Sequence, residues 1–235
     1  MDDQSLVAVV TGDVRKSTEL PDEQRRNLAE TLREAFGSVS ETFALRETPL
    51  FSMSRGDSWQ FYLPQWEMSL EFLLSFLATL AKQRPSIRSR ASLAVDTIDF
   101  LSDRDIGESD GKAFRRSGRG LEELGDDMYF NIQVPRRLDN VFHLCSESFA
   151  EVIDLALHDW TAKQARAVAG MLEVERRRQM GEDATQKSIA QSWKPDPVTA
   201  QTVQKHLKRG HWYRIGRELE RFRQFSVEIQ KRWEP

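Results

Sequence analysis

The chain has 235 residues, 39% of them hydrophobic, with 34 Lys+Arg against 37 Asp+Glu and a formal net charge of −3. That length gives one large domain or two small ones with adequate cores. The single cysteine, Cys145, excludes an intrachain disulfide framework and fits a reducing compartment. The first strand is expected over residues 6–10, so Asp13 of VVTGDVRKS falls just past its end. Pro21 and Asp22 open a helix on which Leu28, Leu32, Phe36, Val39 and Phe43 recur at helical spacing and face a sheet. Residues 51–53 lead into Gly56 and Asp57, after which Trp59, Phe61 and Leu63 alternate with less apolar neighbours; this is a hairpin with Asp57 at its tip. Residues 66–82 form a second helix, apolar on most sides and therefore deeply buried or covered by a partner chain, and Pro85 stops it. A long strand follows over 87–100, with Arg88 and Arg90 near its start. The resulting order, βαββαβ, is the split unit of ferredoxin-like folds. A third helix spans 112–124, with Phe114, Gly118 and Leu121 on its packing face and Arg115, Arg119 and Glu122 on another. MYFNIQV (128–134) adds a strand closed by Pro135.

This topology sets the end of the first strand beside the central hairpin, so Asp13 and Asp57 can share one divalent cation, Mg²⁺ or Mn²⁺. The alternative is ordinary turn chemistry, since Gly and Asp both suit tight turns. Arg115 and Arg119 lie four apart and repel weakly unless an anion such as a triphosphate sits between them; solvation, or pairing with Glu122 and Glu123, answers equally well. Thr11, Arg15, Lys16 and Ser17 surround the first aspartate, either as phosphate contacts or as plain loop polarity.

GDVRKS, GDSWQF and the segment Asp110-Gly111-Lys112-Ala113-Phe114 together resemble the paired GD motifs and the DG-x-AF segment of the SatD family of bacterial proteins. More distantly, the same blocks resemble the catalytic domain of class III nucleotide cyclases. The likeness covers roughly the first 125 residues. It implies that Asp13 and Asp57 bind metal, that amides from Val14 onward cradle phosphate alongside Arg15 and Lys16, and that Ser17 caps the next turn. It also implies a composite homodimer site in which Arg119 is the transition-state arginine. Two positions depart from the cyclase pattern. Arg115 stands where cyclases carry the ribose-orienting asparagine, and Phe51 stands where they carry a base-reading lysine or glutamate. Glu108 lies near the second base-reading position. Any cyclase activity is therefore expected to be weak or directed at an unusual base.

Charge divides the chain. Residues 1–159 carry 18 Lys+Arg against 28 Asp+Glu, whereas residues 160–235 carry 16 against 9. A basic C-terminal part makes nucleic acid its default partner, a solvated basic surface being the alternative. Thr161 and Gln164 form a capping-box pattern, TQKSIAQSW (185–193) reads as a short helix, and Pro197 suits the first turn of another. On that last helix Val198, Val203 and Leu207 face inward, while Thr199, Gln201, Thr202, Gln204, Lys205 and Lys208 face out to meet base edges and phosphates. TQKSIAQSW with TAQTVQKHLKR resembles the tetrahelical DNA-binding domains of sigma-factor region four; a small dimerisation bundle is the alternative. Trp160, Trp193 and Trp212 are expected in its core. A final helix over 213–233 carries Ile215, Leu219, Phe222, Phe225, Val227 and Ile229, and packs on the first domain or a second subunit.

The expectation is thus an α+β protein: a ferredoxin-like, nucleotide-cyclase-type domain over 1–144, then an all-α domain over 145–235 with a helix-turn-helix at about 161–212. The function expected is a SatD-like regulator binding metal, a nucleoside triphosphate or related nucleotide, and duplex DNA as a homodimer. The alternative is an active class III-type cyclase whose tail serves dimerisation. The opening MDDQSLVAVV lacks a signal peptide's basic start, and the most apolar run, residues 68–80, is too short for a membrane span. A soluble cytoplasmic protein without membrane partners is therefore expected.

Overall fold

In the computed structural model, residues 5–53, 56–84, 87–158 and 160–233 are described. Pro85, expected to stop the second helix, lies outside them. Five strands form one sheet in the order β2-β3-β1-β4-β5: β1 Val7–Val14, β2 Leu50–Met53, β3 Ser58–Leu63, β4 Ser89–Asp96 and β5 Phe130–Gln133. The first four pair antiparallel and β5 joins β4 in parallel. The βαββαβ succession is as expected, but two strand limits differ. β1 runs to Val14, so Asp13 lies within the strand, opposite Ser58 on β3 and Arg90 on β4. β4 ends at Asp96 rather than at residue 100. Beyond it the backbone folds back, and Phe100 forms an isolated bridge with Asp110.

Side chains alternate across the sheet. Ala8, Val10, Trp59, Phe61 and Leu63 enter a core shared with α2 (Leu28–Phe43) and α3 (Ser69–Gln83), behind the short α1 (Asp22–Arg26). Val7, Val9 and Tyr62 face the opposite way, towards α4 (Lys112–Glu123). The packing face of α4 is Ala113, Phe114, Ser117, Gly120 and Leu121, not the Phe114, Gly118, Leu121 set expected from spacing alone. The helix approaches β4 closely at Gly120, where a methyl group would lie 2.3 Å from Ser92 Oγ, whereas Gly118 faces open space.

Every residue of α3 from 69 to 81 is buried, and the cover comes from α2, α6 (Ala162–Gln179) and α9 (Trp212–Trp233) of the same chain. The apolar α3 therefore leaves no bare face that calls for a partner. α5 (Asn140–His158) lies against β5 and α9, so the boundary expected between residues 144 and 145 falls inside a helix. One core continues from sheet to helical part. Asp154 of α5 fastens the join by accepting the Tyr129 and Phe130 N–H groups at 2.5 and 2.9 Å. Among the described residues no helix is long and apolar enough to cross a membrane.

α6, α7 (Gln186–Gln191) and α8 (Ala200–Arg209) pack on one another. α6 begins with the full capping box of Thr161 and Gln164. Trp160, Trp193 and Trp212 are all buried, as their burial preference suggested. Val227 and Tyr213 of α9 are exposed, so the inward stripe of that helix is narrower than its apolar content indicates.

Candidate functional site

The end of β1 gathers the first set of expected residues. A methyl on Gly12 would lie 2.2 Å from the Trp59 indole, so the glycine of the first GD pair makes room for a buried tryptophan. Trp59 Nε1 donates to Ser89 Oγ at 2.8 Å, and Ser89 Oγ donates to the Asp13 carbonyl at 2.6 Å, which locks the strand end. The glycine of the second pair, Gly56, turns the hairpin at φ 86°, a left-handed conformation that favours glycine.

The backbone segments that carry Asp13 and Asp57 adjoin at this end, where the Val14 N–H donates to the Asp57 carbonyl at 3.3 Å. Both carboxylates already have partners. Directly across from Asp13, Arg90 donates Nε to Oδ1 at 2.9 Å and to Oδ2 at 3.1 Å, and Nη2 to Oδ2 at 2.9 Å. Its Nη1 reaches the Leu124 carbonyl at 3.1 Å. The hydrogen bond to Asp13 is the largest influence holding the Arg90 pKa above its ordinary value; burial opposes it, and the charges of Asp13, Asp126 and Asp57 add to it. Asp57 Oδ2 accepts from Ser17 Oγ, so Ser17 binds the hairpin aspartate instead of capping a turn. Among the described residues no group of three His, Cys, Asp or Glu side chains is placed to hold a metal. A Mg²⁺ ion demands near-octahedral oxygen ligation. Two carboxylates, one filled by a guanidinium and one by a hydroxyl, do not fit it as arranged.

The expected phosphate contacts are similarly engaged. Val14 is buried with its N–H on Asp57, and the Arg15 N–H donates to the Arg88 carbonyl at 2.7 Å. The Arg15 guanidinium lies 4.7 Å from the Tyr129 ring centroid, and Lys16 pairs with Glu19 at 3.6 Å on the surface. Half-buried Phe51 packs against Phe36 and Phe76 at ring distances of 4.9 and 6.3 Å, at the edge of the core. Glu108 accepts from Ser102 Oγ at 3.2 Å. Arg115 is held by Asp99 and Asp110 at 2.9 and 2.6 Å.

Arg119 lies on the outer side of α4 and has no ion pair among the described residues. Its helix starts at the Asp96 end of β4, where the Ala113 N–H meets the Thr97 carbonyl, and finishes at Leu124 beside Arg90. Beside Arg119, the buried Asp96 carboxylate pairs with Arg116 at 3.0 Å. Sequence reasoning gave neither Arg90 nor Arg116 a role. The dipeptides Arg115-Arg116 and Arg136-Arg137 were the available signal, without any indication that they converge.

On α8, Val203 and Leu207 are buried, and Gln201, Gln204, Lys205 and Lys208 are exposed together with Arg209. Thr199 caps the helix, accepting the Thr202 N–H at 3.1 Å, and its hydroxyl lies 3.0 Å from that of Thr202. Those two threonines are thus spent on the helix start, which lies three residues beyond Pro197. His206 stacks on Trp193 at 5.7 Å. Burial first, and then the charges of Lys163, Arg209 and Lys205, push its pKa down.

No family model matches the chain, and no curated protein matches it. The SatD resemblance therefore rests on its motif residues alone. Among solved structures, the chain is similar to the guanylate cyclase domain of RhGC from Catenaria anguillulae, in complex with GTP. The two are 13% identical with a TM-score of 0.41, over 55% of this chain and 78% of that one.

Proposed function

We propose that the chain is a DNA-binding regulator: α6–α8 act as a helix-turn-helix unit that docks α8 in the groove, and the sheet domain serves as its ligand-responsive part. The observation that carries this reading is the unpaired basic face of α8. Several other surface cations of the helical part sit beside glutamates: Arg177 with Glu182, Arg178 with Glu175, Arg221 with Glu218, Lys231 with Glu228. Lys205, Lys208 and Arg209 have no such partner among the described residues. Residues 184–217 hold seven Lys or Arg and one acid, Asp196. Cations left unneutralised on one exposed helix face attract phosphate, and Gln201 and Gln204 between them present amides of the kind that read adenine edges.

Fluorescence anisotropy with duplex DNA across a salt series tests this. Binding that weakens steeply with salt, and weakens uniformly across sequences when Lys205 and Lys208 become glutamine, supports it; no binding at low salt ends it.

The second reading is an active nucleotide cyclase, favoured by the placement of Asp13 and Asp57 on adjoining segments at one sheet end. Arg90 on Asp13, Phe51 packed on the edge of the core and Arg115 on Asp99 and Asp110 speak against turnover. Incubation with each ribonucleoside triphosphate and Mn²⁺ decides it: a cyclic product abolished by Asp57→Ala would replace the regulator reading.

A further inference from the structure

A second basic concentration lies far from α8. Lys112, Arg116 and Arg119 of α4, with Arg136 and Arg137 of the segment after β5, line a cleft of about 350 Å³ closed on one side by Trp233 of α9. Arg115 also reaches its rim. Set against these six cations among the described residues are three carboxylates: Asp99 and Asp110, both on Arg115, and Asp96 on Arg116. Arg137 is fixed by packing, its guanidinium 3.3 Å from the Trp233 ring centroid and its Nη2 donating to the Trp233 carbonyl at 2.9 Å. Arg116 also donates to the Val134 carbonyl. Lys112, Arg119 and Arg136 have no hydrogen bond or ion pair among the described residues. The chain thus builds a cleft with two arginines held in its wall and three cations left uncompensated among the described residues. Burial pulls the Arg116 pKa down, Asp96 opposes, and Arg136 and Arg119 pull it down further, as expected where like charges are pressed together.

We propose that this cleft binds a small polyphosphate, either free or carried on a nucleoside. Its volume is that of a small-molecule site rather than of a duplex groove. Guanidinium forks match phosphate oxygens in pairs, and three uncompensated cations match a di- or triphosphate better than a singly charged anion. The site is separate from Asp13 and Asp57. Asp96 stands six residues along β4 from Arg90, roughly 20 Å at strand rise. It requires one chain only and does not rest on the reading of α8.

The test is calorimetric titration of the full chain with sodium tripolyphosphate at low salt. One saturable site per chain is expected, with at least tenfold weaker binding of orthophosphate. Arg119→Ala with Arg136→Ala, both at exposed positions, should lower tripolyphosphate affinity at least tenfold while leaving the melting temperature unchanged. Lys205→Gln with Lys208→Gln should leave it unaltered. A parallel arm with ATP and GTP separates the two sources: affinity equal to tripolyphosphate assigns the bare chain, and tighter binding assigns a nucleotide. No saturable binding, binding that survives loss of Arg119 and Arg136, or binding lost with Lys205 and Lys208 would overturn the proposal.

Discussion

Replacing Arg90 by methionine tests what governs the strand-end site. Arg90 supplies three hydrogen bonds to Asp13 and one to the Leu124 carbonyl, and the two side chains are 24% and 20% exposed. Methionine preserves much of the stem's packing but leaves the Asp13 carboxylate without its cation. Hydrogen bonds to charged groups contribute about 1.5–3 kcal/mol, and breaking a fully buried pair costs about 3–5 kcal/mol. A site still partly open to water should lose about 2–3 kcal/mol, near the overlap of those ranges. At about 2–4 °C per kcal/mol for a chain of this size, the melting temperature should fall by roughly 5–10 °C. Differential scanning fluorimetry with and without Mn²⁺ then separates structure from site. If Arg90 occupies a cation's place, wild type should respond little to the metal, while Arg90→Met at about ten times its dissociation constant should regain about 1.4 kcal/mol. Equal melting temperatures for the two proteins would refute the pairing argument. An equal Mn²⁺ shift in both would refute the idea that Arg90 excludes the metal.

Other outcomes follow from other parts of the molecule. Changing Lys205 and Lys208 to glutamine should flatten the plot of log affinity for duplex DNA against log salt by about 1.8, at about 0.9 for each phosphate no longer neutralised, measured by anisotropy. Gly120→Ala should destabilise the chain by about 1–3 kcal/mol in urea unfolding, because its methyl would press on Ser92 Oγ where α4 meets β4. His206 has a folded pKa below its ordinary 6.5, so the unfolded chain takes the proton first. The stability this contributes is full above about pH 6.5 and is lost as pH falls through the lower folded value. Wild type should therefore lose more melting temperature than His206→Gln over that window, and equal losses would show that His206 plays no part.

Most of the frame was legible because it depends on local pattern. Leu28, Leu32, Phe36, Val39 and Phe43 lie on one helix face, and Trp59, Phe61 and Leu63 on one strand face; both repeats are spacings that burial alone imposes. The capping box at Thr161 was legible for the same reason. The candidate site was less so, because its side chains are set by pairing across long separations. Asp13 and Arg90 are 77 residues apart and meet only through the β1–β4 register. Phe51 looked like a substitution in a base pocket, yet its place is decided by Phe36 and Phe76 on helices that sequence spacing cannot dock. Gly118 and Gly120 share a helix and differ in rotation by about 200°, so only the docked helix tells which one the sheet requires.

The helical part is not a loosely tethered appendage, and arginines are the reason. Arg88, immediately before β4, donates to the carbonyls of Leu157 and Trp160 at 3.4 and 2.6 Å, where α5 gives way to α6. Arg176 of α6 donates to the Phe43 carbonyl at the end of α2. Arg223 of α9 reaches the buried Glu71 of α3 at 2.6 Å. Among the described residues the other oxygen of Glu71 has no hydrogen-bond partner, so Arg223 is what compensates that charge. Each clamp satisfies a carbonyl or carboxylate that would otherwise be stranded at the seam, and each joins the helical part to β4 or to the helices behind the sheet. The regulation proposed above would require, across such a seam, an element with two arrangements that ligand and DNA bias differently. β4 is placed for that role. Arg88 and Arg90 stand two residues apart at its start, one tied to the backbone that leads into α6 and the other to Asp13. Asp96 at its far end pairs with Arg116 in the basic cleft. A ligand that drew Arg116 from Asp96, or a cation that drew Asp13 from Arg90, would act on the strand from which the first helix of the basic unit is hung.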